Sequence, residues 1–95
     1  MRHATETERL FFKVIDGMPE DLKMKVDWSF DISTSIDDAL KRKGISKKEL
    51  ASLTGTSPAA VTRWLGGNHN FTLSTLAKIS TVLGVPLISV LPKQT

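Results

Sequence analysis

Cysteine is absent from the 95-residue chain. That excludes a disulfide framework, thiolate metal ligation and a cysteine nucleophile, and it suits a reducing compartment. Histidine is scarce. His3 and His69 stand far apart with no second ligand at metal spacing, so neither a metal site nor a cofactor is expected. Long apolar runs are missing too: nothing approaches the roughly 18 residues of a membrane span, and the first residues lack the basic-then-apolar layout of a signal peptide. A cytoplasmic protein with no membrane contact is the expectation. Catalytic groupings are equally thin. The Asp37-Asp38 pair has no neighbouring base or nucleophile in the sequence, which argues against an enzyme. The short length leaves room for one core and no separate catalytic lobe.

What the chain does have is a lopsided charge. Residues 1–40 carry five bases and nine acids, whereas residues 41–95 carry eight bases (Lys41, Arg42, Lys43, Lys47, Lys48, Arg63, Lys78, Lys93) and one acid, Glu49. The first part is therefore at −4 and the second at +7. A basic surface of this kind suits a polyanion. Lys41, Arg42 and Lys43 have a second reading, because they precede Gly44 and can simply complement the negative end of a helix.

Within the basic part, residues 45–65 read as two short helices across a tight turn. Ser46 and Glu49 have capping-box spacing, so a helix should start at Lys47. Gly55 should end it in a left-handed conformation, and Ser57-Pro58 should restart a helix as N-cap and first helical residue. Ala51 is small where the helices would cross; Leu50, Val61, Trp64 and Leu65 supply the apolar faces that fix their angle. The combination of box, Ala51, Gly55, Ser57-Pro58 and Val61 is far more restrictive than any one residue.

On these residues the stretch resembles the helix-turn-helix of the phage repressor and Cro, or XRE, family of transcriptional regulators. The likeness extends from about Ile36 to Leu83, because Gly66 to Leu73 followed by an amphipathic segment is similar to that family's third-helix exit and fourth helix. The resemblance implies an all-α, lambda-repressor-like domain of about five helices around a central helix-turn-helix. It further implies a partner, double-stranded operator DNA. Among such regulators the chain looks most like small antitoxins that repress their own operon and bind a cognate toxin.

Taken in order, residues 1–7 should be frayed. Glu8 to Ile15, with Leu10, Phe11, Val14 and Ile15, has the spacing of a short amphipathic helix that Asp16-Gly17 stops. Pro19 at a first helical position, with Glu20 and Asp21 in the first turn, opens a second helix. Leu22, Val26, Ser29, Ser33, Ile36 and Leu40 share one helical face, yet residues 26–33 also alternate like a strand. Helix to Lys43 is the expectation, with a break near Thr34 and a new capping box at Ser35 and Asp38 as the alternative. Trp64 is expected in the core, and so is Trp28, which otherwise would anchor a partner as exposed tryptophan often does. Thr72 should cap a last helix whose Leu73, Leu76, Ala77, Ile79, Ser80 and Leu83 face inward until Gly84. Pro86 to Leu91 is apolar and β-branched, suiting a final turn or a short C-terminal edge strand that pairs with its copy in a homodimer. The chain then divides into an N-terminal helical extension, residues 1–35, and a DNA-binding unit, residues 36–95, together one compact body.

The helix from Pro58 to Gly66 is expected in the major groove, with Ala59, Thr62 and Arg63 outward. Arg63 can give two hydrogen bonds to guanine O6 and N7, and Ala59 and Thr62 can touch a thymine methyl. Ser46, Lys47 and Lys48 at one helix start, Ser57 at the other, and Asn68, His69 and Asn70 in the following loop are the expected backbone contacts. Members of the resembled family often carry Gln at the Lys47 position and a polar residue at the Pro58 position. Pro58 brings neither amide hydrogen nor polar side chain, so one base contact is missing and DNA shape should count for more. A protein-interaction adaptor that keeps the fold without DNA binding, and a nonspecific DNA-coating protein, are the competing readings.

Overall fold

A computed structural model describes residues 6–91, apart from the side chains of Phe11, Phe12 and Ile15. It contains five helices: α1 (Glu6–Asp16), α2 (Glu20–Lys43), α3 (Lys47–Thr54), α4 (Pro58–Trp64) and α5 (Leu73–Leu83). The chain is all-α, as its likeness to the repressors implies, and residues 86–91 form no strand. Among the described residues no strand lies beside them to pair with, and the Leu87 amide donates to the Ser80 hydroxyl at 3.1 Å. Helix α1 begins two residues earlier than its apolar spacing suggests; residues 1–5 and the inward or outward placing of Phe11 and Ile15 lie outside the described residues.

Local chemistry sets most of the boundaries. Ser46 and Glu49 form both bonds of the capping box, Glu49 N–H donating to the Ser46 hydroxyl at 3.1 Å and Ser46 N–H to the Glu49 carboxylate at 3.3 Å. Ser57 and Thr72 each accept an amide three residues on, at 3.2 Å, and so start α4 and α5. Pro19 is itself the N-cap of α2, which starts at Glu20, one residue later than expected. The three-residue turn between α3 and α4 depends on Gly55, whose φ of 69° few other residues adopt cheaply. Beside it the Thr54 hydroxyl reaches the Leu50 carbonyl at 2.7 Å and the Thr56 hydroxyl at 2.8 Å, which ties the turn to the end of α3.

The core consists of Ile36, Ala39 and Leu40 from α2, Leu50 and Ala51 from α3, Val61 and Trp64 from α4, and Ile79 and Leu83 from α5. Ile32, Ile45, Phe71 and Leu87 close its edges. Helix α2 runs unbroken through Thr34, and its strand-like stretch is helical for a visible reason. Two of its buried positions are serines, Ser29 and Ser33, small enough to lie close against the core. The Ser33 hydroxyl donates to the Trp64 carbonyl, satisfying one of the unpaired acceptors at the end of α4. The alternating apolar residues Trp28 and Phe30 consequently point outward, each 62 % exposed. Trp28 is thus not a core residue, contrary to the expectation from its sequence. Leu73 and Ala77 are also exposed rather than inward, because the buried stripe of α5 follows Leu76, Ile79 and Leu83.

Candidate nucleic-acid interface

Helix α4 is divided by burial. Val61 and Trp64 are buried and Ala60 is half-buried, so the helix is pinned along one side against α3 and the core. Ala59, Thr62 and Arg63 occupy the opposite side in solvent. The Arg63 side chain makes no hydrogen bond or ion pair among the described residues, so its fork of donors is available. Thr62 differs: its hydroxyl donates to the Pro58 carbonyl at 3.0 Å. That bond uses the hydroxyl proton and leaves the methyl group as the part of Thr62 with most to offer a base edge.

The two helix starts flank this surface with exposed Ser46, Lys47, Lys48 and Ser57. Each serine oxygen already accepts an amide as a cap, so what it can still give a phosphate is its hydroxyl proton. Lys47 shares a shallow hollow of about 380 Å³ with Lys41, Asp37 and Ser46. Lys41 is paired there with Asp37 at 2.8 Å, and the hydrogen bond that its ammonium donates to that carboxylate, followed by the carboxylate's charge, raises the ammonium above its usual range. The ammonium of Lys43 lies beside Gly84, where α5 ends. Lys41 thus has a local partner, and Lys41, Arg42 and Lys43 all lie in the last turn of α2, before Gly44.

The loop after α4 brings Asn68, His69 and Asn70 to the surface in unequal states. Asn68 is exposed, while His69 is half-buried with its ring edge-on to Phe71 at 4.7 Å. Asn70 is exposed and lies next to Phe71 on the rim of a separate apolar groove. Gly67, at φ 91°, lies beside the Phe30 ring; a Cβ there would meet the ring at an ordinary 3.5 Å, so the backbone conformation and not the space calls for glycine. Phe30 thus borders the loop after α4, and the Thr54–Thr56 hydroxyl pair lies in the turn before it. Neither was singled out in the sequence; the only available signal for the latter was threonine on both sides of Gly55.

Comparison with known families matches residues 36–89 to the family described as helix-turn-helix. No curated protein and no solved structure matches the chain. Among the described residues, no helix is long and apolar enough to cross a membrane.

Proposed function

The chain belongs to the XRE-type helix-turn-helix family of DNA-binding, typically non-enzymatic domains, and from that premise we propose that it is a sequence-specific transcriptional repressor with α4 in the major groove. The observation that carries this reading is the sidedness of α4: a free Arg63 and the Thr62 methyl on a helix held from behind by Val61 and Trp64. Arg63 reads a guanine, and Ala59 and Thr62 read thymine methyls. Ser46, Lys47, Lys48, Ser57 and Asn68 hold the sugar-phosphate chain and set the register, with His69 and Asn70 bordering it. A pair of chains presents two such helices roughly 34 Å apart.

The test is a titration against a duplex selected from a random pool and against an unselected duplex, at several salt concentrations. A repressor keeps a preference of about 10³ or more, a coating protein shows none, and an adaptor binds neither. Arg63→Ala should erode preference more than total affinity, by about 1–3 kcal/mol at one base pair. Lys47→Ala should weaken every duplex alike and flatten the salt slope by about one per bound chain. Unchanged preference in Arg63→Ala would refute its assigned role.

A second reading, in which the repressor is also an antitoxin, is favoured by the −4 charge of residues 1–40. An acidic surface of this kind suits a basic toxin. Co-expression with the product of an adjacent small basic reading frame should then give a complex that salt loosens; no complex with any neighbour would remove this reading.

A further inference from the structure

None of the described side chains before Ser29 is buried, so the first part of α2 is an arm that the core does not bury. Between this arm, the start of α5 and residues 87–89 lies an open groove of about 750 Å³. The wall at residues 87–89 is held in place, because the Leu87 amide donates to the Ser80 hydroxyl at 3.1 Å and Leu87 packs on the core. Met24, Trp28, Ile32, Phe71, Leu76 and Leu87 are among the apolar lining, and Trp28 is 62 % exposed there. A concave, mainly apolar space of roughly 300–1,000 Å³ with a few polar groups is the usual form of a small-molecule site.

The charges around the groove are unevenly spread. Asp21 and Lys25 stand four residues apart, acid before base, the order that attracts along a helix. Asp31, at the other end, has no such neighbour: three and four residues away on α2 stand Asp27, Trp28, Thr34 and Ser35. Lys25, the one base among the lining residues, is six residues from Asp31, about 9 Å along the axis. Asp27 and Asp31 are like charges one turn apart, and among the described residues neither makes an ion pair or a side-chain hydrogen bond. Trp28, one turn before Asp31 on the same face, sets an aromatic ring beside this uncompensated carboxylate. Such a pairing attracts a cation twice, through the charge and through the quadrupole of the ring. An anion would meet two carboxylates.

We propose that the groove binds a lipophilic organic cation, a small molecule with an ammonium head and an apolar body of one or two rings. The head lies at the rim between Asp31 and the Trp28 ring and keeps water on its outer side. The body covers Ile32, Phe71, Leu76 and Leu87. From Asp31 back to Met24 the arm spans seven residues, about 10 Å, a length that such a body fills. No residue of α4 takes part, so the site goes beyond the repressor reading and does not rest on it.

Three probes of one shape separate charge from apolarity: diphenylpropylamine, diphenylpropanol and diphenylpropanoate. Calorimetry on the full chain should show the amine bound about tenfold more tightly than the alcohol, from an ion pair and a ring contact worth a few-fold each, and the carboxylate bound most weakly. Of the two indole N–H signals in the nuclear magnetic resonance spectrum, that of exposed Trp28 should move with the amine and that of buried Trp64 should not. Asp31→Asn should cut the amine's advantage to about threefold or less and leave the alcohol's affinity unchanged. Trp28→Leu keeps the wall apolar and should cut the advantage by a similar factor. Both positions are exposed, and helical circular dichroism checks that each variant folds. Asp38→Asn, at an exposed carboxylate of α2 outside the groove, should change nothing. Equal binding of all three probes overturns the proposal, as does a preference for the carboxylate, an absence of binding, or an amine advantage that survives both variants. A dimer from which the amine is excluded gives the groove to a second copy and overturns it too. Amine binding by a chain without duplex preference refutes only the repressor reading; duplex preference without amine binding refutes only the site.

Discussion

Arg63 and Thr62 are adjacent on α4, yet they differ in what they have left to offer. The guanidinium is uncommitted, whereas the Thr62 hydroxyl is spent on the Pro58 carbonyl. If Thr62 contributes its methyl, Thr62→Val should keep most of the preference for the selected duplex and Thr62→Ser should lose part of it. Competition binding with the two variants decides this, and the opposite order would mean that the hydroxyl is the reader. Lys41 gives a residue-scale prediction about pH. Its ammonium is raised above the ordinary 10.5 by Asp37, so the stabilisation from that pairing is present below the ordinary value and disappears as pH rises through the raised one. It is constant across the neutral range. Asp37→Asn should bring Lys41 back toward its ordinary value, measurable by nuclear magnetic resonance titration. By freeing a cation beside Lys47, the same change should raise affinity for every duplex alike.

At the scale of elements, the pose of α4 depends on two devices outside it. One is the turn before it. An alanine Cβ at Gly55 would meet no atom within 4 Å, so Gly55→Ala is opposed by backbone conformation alone, at a φ of 69°. Its cost should be about 1–2 kcal/mol, and each kcal/mol should lower the melting temperature by roughly 4–8 °C in a domain of this size. The other device is the bond from Ser33 to the Trp64 carbonyl. Ser33→Val removes the donor from a buried acceptor and should destabilise by about 1–3 kcal/mol in denaturant unfolding. Because Ser33 anchors the end of α4, that variant should also lose sequence preference, although it touches no base. A variant equally stable and equally selective would show that the bond positions nothing.

For the molecule as a whole, the two halves differ in charge and in support. Residues 36–89 fold around a shared core and match the helix-turn-helix family; among the described side chains, none before Ser29 is buried. DNA affinity should fall as salt rises, because binding to the basic part releases counterions from the phosphates. Titration of one duplex at several ionic strengths measures that slope.

Where the residues themselves supply the physics, the sequence is enough. The capping box of Ser46 and Glu49, the serine and proline that open α4, and the glycine between the helices act over three or four positions, and all are realised as the sequence predicts. The outward placing of Ala59, Thr62 and Arg63 follows from the same short-range periodicity, once Val61 and Trp64 are taken as core. What α2 buries is only partly a local matter. Helical spacing picks out Ser29, Ser33, Ile36 and Leu40, which are buried, but the expectation that Trp28 joins the core fails, because Trp28 lies outside with Phe30. Small size and a distant carbonyl at Trp64 made the serines suitable, and only the assembled helices reveal that partner. The uncovered arm is of the same kind. An amphipathic pattern announces that a face will be buried, but whether its own chain buries it depends on how far the core reaches, and among the described side chains burial begins at Ser29.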